Sequence, residues 1–517
     1  MNASTGGAET ELELKLALPT QQAERLRRHP ALRPISPHRA VIADLDAIYF
    51  DTPDLALQAQ GVAVRLREAA GQWVQTVKGR GNTAGALHRR SEWETPSEGA
   101  GLDFSGIDDP VLRRLLNAPD IRNRLQPVFR TRFRRWARLL VLPDGTRIEL
   151  ALDEGTIEAG EHKCAISEVE LELKSGRPAA LFELALALQH DVALSPEPRS
   201  KAERGYRLHS GIAEQPVRTR TPVLDPAGSP ALACAAFLGA GCEQLQRNRA
   251  GASVAVDSEV LHQVRVALRR LRASFGLFRS VLPADAAAPL ATELRWLTGE
   301  TGPARDWDVF CEQTLPKVAA SFPAQAGFEA LAAQAQSRRQ QAHARLRLAL
   351  ESPRCARLQL ELGHLATTLD AAPATPDDGK PAPSLREFAR RNLRRRARKC
   401  LPGREELAAF DDARRHAWRI ALKKLRYAGD FLLPAIARPS ASRRWLSTLS
   451  SLQDILGSMN DAAVTEGLLA QLTGEDAPEA AALALVRGWL AGAASVRLQN
   501  LEVARSRLET VAVPWKN

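Results

Sequence analysis

Near its start the chain reads Glu11-Leu12-Glu13-Leu14-Lys15, two carboxylates and an amine at strict alternation with leucines between them. Carboxylate oxygens suit a hard divalent cation and an ammonium suits an anion, so the trio could handle metal and phosphate-like charge together. The pattern recurs. Arg65 and Arg67 alternate with Val64 and Leu66, and Arg90, Glu92 and Glu94 flank Ser91 and Trp93. Arg130 and Arg132 follow, then Arg147, Glu149 and Asp153, and finally Glu168, Glu170, Glu172 and Lys174 between Val169, Leu171 and Leu173.

Alternation of this kind requires β-strands, because successive side chains on a strand point to opposite faces. Each of these strands would carry one apolar face and one face holding charges of both signs. A sheet closed into a tunnel, charged inside and apolar outside beneath covering helices, accounts for all of them at once. Its lumen suits a polyanion held by Arg and Lys, with divalent metal held by Glu.

At 517 residues the chain is too long for a single core. With 44% hydrophobic and 25% charged residues it reads as globular, and no apolar run is long enough to span a membrane. The polar amino terminus predicts the cytoplasm. Six scattered cysteines with no CxxC argue against structural zinc and a disulfide framework. A net charge of +11 points to an anionic partner without naming it.

The character changes near residue 210. Before it, strand-like runs are separated by turn signals such as Pro143-Asp144-Gly145, which reads as a hairpin turn. Residues 214–230 carry four prolines and read as a linker; a second proline-rich breaker covers 371–384. The rest is amphipathic helix. We expect an α+β tunnel domain over 1–208, a linker over 209–227, and an all-α domain over 228–508 built as two repeats, about 228–370 and 385–508.

The helical half repeats itself. His262, Arg265, Arg269, Arg270 and Arg272 recur as His416, Arg419, Lys423, Lys424 and Arg426 at identical offsets, and Arg305-Asp306 is answered downstream by Asn460-Asp461. Offsets of 0, 3, 7 and 10 share one helix face, so two matched basic stripes are predicted, a groove for an extended polyanion. Sparse aromatic residues argue against single-stranded nucleic acid, where base stacking is usual.

Glu11-x-Glu13-x-Lys15, Tyr49-Phe50-Asp51-Thr52, Arg65-x-Arg67, Thr76-Val77-Lys78, Arg90-x-Glu92, Glu168-x-Glu170 and Ser200-Lys201-Ala202-Glu203-Arg204-Gly205-Tyr206 together resemble the CYTH superfamily, which includes the triphosphate tunnel metalloenzymes. The helical half resembles the CHAD domain, and the two in this order resemble bacterial inorganic triphosphatases with a CHAD tail. The resemblance implies an eight-stranded antiparallel tunnel that hydrolyses tripolyphosphate to pyrophosphate and phosphate with Mg²⁺ or Mn²⁺. It implies metal at Glu11, Glu13, Glu168, Glu170 and Glu172; Asp153 reads as either an acid supporting these ligands or a metal ligand through water. Lys15, Arg65, Arg67, Lys78, Arg90, Arg130, Arg132, Lys201 and Arg204 would hold phosphate oxygens. Lys15 is either the base, if neighbouring cations depress its pKa, or a phosphate clamp. The paired basic residues of the helical half would bind long-chain polyphosphate, which predicts association with polyphosphate granules.

Other residues receive plainer readings. His88 and His162 read as surface residues, Cys164 as an unassisted thiol, and Trp93 as a residue packed under outer helices. Tyr49-Phe50-Asp51-Thr52 reads as a strand end followed by a helix cap, and the glycine-rich 79–85 as a hairpin loop. Alternatives to the inorganic triphosphatase are a thiamine triphosphatase, a class IV-type adenylate cyclase, and a non-catalytic polyphosphate-binding protein.

Overall fold

The computed structural model describes residues 9–69, 71–84, 86–97, 101–212, 215–219, 221–254, 257–371, 383–400, 410–472 and 477–515. The breaker at 371–384 therefore falls largely outside the described residues, as do the side chains of Asn460 and Asp461. The chain divides into two compact units. The first comprises Met1–Val217, Cys242–Gly251 and Ser352–Thr368, and the second Arg218–Gly241, Ala252–Glu351 and Leu369–Asn517.

Ten strands build the first unit: β1 (Glu9–Ala17), β2 (Val41–Asp51), β3 (Ala63–Ala69), β4 (Gln72–Lys78), β5 (Asn82–Ala84), β6 (Leu87–Ser97), β7 (Gln126–Val141), β8 (Arg147–Ala159), β9 (His162–Ser175) and β10 (Ser195–Pro196). Eight run in the order β1-β9-β8-β7-β2-β3-β4-β6, every pairing antiparallel, and β6 pairs back onto β1 to close the barrel. β5 and β10 are short additions beside β6 and β1. Gly145 supplies the positive φ of +85° at the β7–β8 turn, a conformation disfavoured for residues with a Cβ.

The alternation sorts the two faces as the pattern requires. Leu12, Leu14 and Leu16 join Leu150, Leu152, Val169 and Leu171 in an outer core with Leu181, Phe182 and Leu188 of the helix Ala179–Gln189. Val64, Val77 and Trp93 pack on the opposite side with Phe104, Leu112, Leu116 and Ile121. Each fully buried leucine here contributes about 1.5–3 kcal/mol. Asp51 ends β2 and accepts hydrogen bonds from the Leu57 and Gln58 amides, both at 2.9 Å, while Thr52 Oγ1 accepts from Ala56 at 3.0 Å. These side chains satisfy the first amides of the short helix Ala56–Ala59, whose N-cap residue itself is Leu55.

One end of the lumen is filled. Leu45, Ala47, Tyr49, Phe129, Phe133, Ile157 and Ile166 form a core with Tyr206 of the helix Lys201–Ser210, hereafter the plug helix. Gly205 makes its close seating possible, since a Cβ there would lie 2.2 Å from Phe129 Cε2. Away from the plug the lumen opens. Side-chain exposure along β9 climbs from 1% at Glu168 to 11% at Glu170, 26% at Glu172 and 39% at Lys174.

The second unit is helical. Its helices include Ser258–Leu277, Ala284–Val309, Phe328–Glu351, Leu385–Cys400, Asp412–Ile436, Pro439–Leu469 and Ala477–Thr510. Phe237 stacks on Phe431 at 4.3 Å between ring centroids, and Phe278 on Phe388 at 5.3 Å. A second core joins Trp307, Phe310, Leu331, Leu468 and Val486. No described helix is long and apolar enough to cross a membrane.

Candidate active site

β1 puts Glu11, Glu13 and Lys15 on the lumen face because its leucines are committed to the outer core. Register then decides who meets whom. Across β1 and β9, Lys15 lies opposite Glu170 and Glu13 opposite Glu172; across β1 and β6, Glu11 lies opposite Arg90 and Glu13 opposite His88.

Nearest the plug, Asp153, Glu168 and Glu170 bring carboxylate oxygens within 4.8 Å of one another. Lys201 Nζ sits among them, 2.6 Å from Asp153, 2.5 Å from Glu168 and 3.0 Å from Glu170. Arg135 donates to both oxygens of Asp153 at 2.7 Å and to Glu170 at 2.5 Å. Lys15 donates to Glu13 at 2.7 Å and to Glu170, and Arg204 to Glu168 at 2.7 Å. This carboxylate trio is thus saturated by protein cations. A cavity of about 620 Å³ adjoins Glu168 and is lined in part by Arg199, Arg204, Arg207 and Cys164.

Farther from the plug the balance changes. Lys78 bridges Glu11 at 2.8 Å and Glu92 at 3.0 Å, and Lys174 holds Glu172 at 2.6 Å. Burial pushes the Glu172 carboxyl up; Lys174 opposes that, and the charges of Glu11 and Glu149 add to it. Crowded oxygen donors fit a hard divalent cation. Glu172 shares this wall with Glu11, Glu149 and Glu13, whereas the described carboxylates whose oxygens lie close enough together to share one ion are Asp153, Glu168 and Glu170. Glu149 belongs here through its register with Glu172.

On the opposite wall Arg65 reaches Glu92 at 3.5 Å and Arg67 reaches Glu94 at 3.1 Å, and the Nε of each is buried without a partner. These guanidiniums have donors to spare. Arg90 lies 3.9 Å from Glu203, which also takes Arg247 at 3.0 Å.

Three expectations need correction. Arg130 and Arg132 are on the outer wall, because β7 pairs them with Ile48 and Asp46 while the lumen residues Tyr49 and Ala47 face Phe129 and Thr131. Both pair with Asp46, and Arg132 is half exposed. Their lumen counterpart is Arg135. The base role for Lys15 required a depressed pKa. Burial does work against its charge, but Glu13, Glu170, Glu168 and Glu11 outweigh it and hold the ammonium well above the usual range. His88 is not on the surface; it is 1% exposed and shares the lumen face with Glu13. The signal for His88 was present in its parity with Arg90 and Glu92. Arg135 had no such signal, because Arg134-Arg135 offers both parities.

In the second unit, burial lowers the pKa of His262, and the neighbouring charges of Arg269, Arg305 and Arg265 lower it further against Glu259. These residues form one basic cluster, which adds Arg305. Arg265 also bonds Thr301 at 3.2 Å. Arg270, expected among the polyphosphate-binding residues though off the stripe, is engaged elsewhere. Its guanidinium sits over the Phe431 ring, and its charge acts on Asp430, which Arg426 holds at 3.0 Å. Arg269, Arg272, His416 and Lys424 are exposed, and Arg419 and Lys423 half-buried.

Residues 9–206 match the CYTH domain family and residues 236–470 the CHAD domain family. An inorganic triphosphatase of Haemophilus influenzae is 34% identical over 203 residues, which is 39% of this chain and 55% of the relative; the chain thus spans about half that relative's length. The CHAD domain from the plant Ricinus communis is 32% identical, covers 58% of this chain and 99% of that one, and superposes with a TM-score of 0.51. PptA from Streptomyces chartreusis is 19% identical with a TM-score of 0.40, covering 55% of this chain and 99% of its own.

Proposed function

Because the chain carries a CYTH domain followed by a CHAD domain, we propose a metal-dependent inorganic triphosphatase that cleaves tripolyphosphate to pyrophosphate and phosphate. The observation that carries this reading is the lumen itself: buried cations from several walls, each held by a carboxylate that an anionic guest would replace.

In this reading Lys15, Lys78, Lys201, Arg65, Arg67, Arg90, Arg135 and Arg204 receive the phosphate oxygens. The guanidiniums offer paired donors, and the ammoniums compact charge. Glu11, Glu13, Glu149 and Glu172 would hold Mg²⁺ or Mn²⁺, which supplies charge neutralisation and a more acidic bound water. Phosphoryl transfer depends on positioning and charge stabilisation more than on covalent chemistry, and the fixed cations serve both. Lys15 acts as a clamp, since a firmly protonated amine cannot take a proton. The Asp153–Glu168–Glu170 trio orients Lys201, Lys15 and Arg135 into the lumen.

We also infer that the helical domain holds long-chain polyphosphate through the His262, Arg265, Arg269 and Arg305 cluster and its counterpart at His416, Arg419 and Lys423. That would place the protein in the cytoplasm at polyphosphate granules.

The test is phosphate release from tripolyphosphate, ATP and thiamine triphosphate with Mg²⁺ or Mn²⁺, comparing the unchanged chain with Glu11→Ala/Glu13→Ala. Turnover of tripolyphosphate that the double variant loses supports the reading. Faster turnover of ATP or thiamine triphosphate would replace the substrate, and no turnover at all would reduce the protein to a binder.

A further inference from the structure

His88 stands at the base of β6, paired in register with Glu13 on β1. The two side chains share the lumen face, since Glu13 reaches inward to Lys15. The ring is 1% exposed, and neither Nδ1 nor Nε2 has a hydrogen-bond partner among the described residues. Buried polar groups are nearly always paired, so a doubly unpartnered imidazole needs an explanation. An apolar residue of similar size would fill the site without leaving two orphaned nitrogens.

The surroundings indicate what the ring is kept for. Lys15, Arg90 and Arg247 are the cations acting on it, and Glu170 is the opposing carboxylate. Together with burial they hold the imidazole neutral, its pKa well below the usual range. A neutral imidazole among cations keeps one N–H donor and one acceptor. Lysine and arginine are donors only, so among these cations His88 adds a group that can hold a phosphate oxygen and a water at once.

We propose that His88 is a substrate-contacting residue, donating a ring N–H to a phosphate oxygen of a linear polyphosphate bound beside Lys15 and Arg90. The assignment rests on the triphosphate reading above and adds to it a neutral contact from the β1–β6 seam.

Binding of tripolyphosphate measured by calorimetry without divalent metal, alongside kcat/KM with Mg²⁺ and the melting temperature, tests it in His88→Leu and His88→Gln. The leucine variant should melt higher, because two unpaired nitrogens are gone, yet bind tripolyphosphate about tenfold or more weakly. Glutamine, which keeps an N–H donor, should recover most of the loss. Unchanged binding in His88→Leu overturns the proposal. So does equal weakening in both variants with lowered melting temperatures, which would mark His88 as a packing residue. Binding by the unchanged chain with no hydrolysis would sink the triphosphatase reading, while the calorimetry would still judge His88.

Discussion

Arg135 grips Asp153 across β7 and β8 with two nitrogens, each 2.7 Å from a carboxylate oxygen, and the Asp153 side chain is entirely shielded from water. Removing Arg135 leaves the buried Asp153 carboxylate with Lys201, 2.6 Å away, as its remaining cation. Arg135→Ala is expected to lower the unfolding free energy by about 1.5–3 kcal/mol in urea titrations, the worth of hydrogen bonds to a charged group. Adding Asp153→Asn should return part of that loss.

The two classes of arginine on β7 separate wall from lumen. Arg132→Ala should leave tripolyphosphate kinetics within about twofold, because its bridges to Asp46 and Glu158 are exposed and worth about 1 kcal/mol at most. Arg65→Ala should raise KM by about tenfold to a hundredfold, the worth of a charge-assisted hydrogen bond. Steady-state kinetics of the two variants distinguish the faces.

Acid stability should track Glu170. Burial alone would raise its pKa, but Lys15, Lys201 and Arg135 overcome that and hold it well below the ordinary 4.5. A depressed native pKa gives stability that is complete above the unfolded value and lost as pH falls toward the native one. The melting temperature should therefore hold near neutrality and drop below about pH 4.5. Glu170→Gln should start lower at neutral pH and fall less steeply.

Gly205→Ala drives a methyl group into Phe129, 2.2 Å from Cε2. Overpacking of this kind costs about 1–3 kcal/mol. Because the plug helix also carries Lys201 and Arg204, activity should fall even at temperatures where the variant stays folded, as thermal melts with parallel assays would show.

Arg269 and Arg270 adjoin in sequence but differ in setting. Arg269→Glu should weaken long-chain polyphosphate binding severalfold and reduce its salt dependence. Arg270→Ala should chiefly lower stability, since its guanidinium covers Phe431. Polyphosphate-bead binding and melting curves on both variants check this.

The closed barrel was legible because period-two alternation survives in every strand that faces a charged lumen. Trp93 lay under outer helices for the same reason, its parity opposing Glu92 and Glu94. What the alternation could not supply was absolute phase where charges crowd. In β7, Arg130, Arg132 and Arg134 have one parity and Arg135 the other, and only pairing with β2 and β8 selects the inward one. Glu149 was visible as a charged alternating residue, but its company with Glu11 and Glu172 depends on strand stagger. Arg270 lies off the 0, 3, 7, 10 face by its own offset, and its partner Asp430 comes from tertiary packing that offsets alone do not encode.

The apolar stopper formed by Tyr206 with Phe129, Phe133 and Ile157 has a consequence for traffic. A barrel shut at one end cannot be threaded, so anything that enters must leave by the same mouth. A linear polymer would present only a terminus to the deep cations, and shortening would proceed from chain ends, never from the middle. Released fragments would also contend with the next guest for a single doorway, so product should behave as a competitive inhibitor.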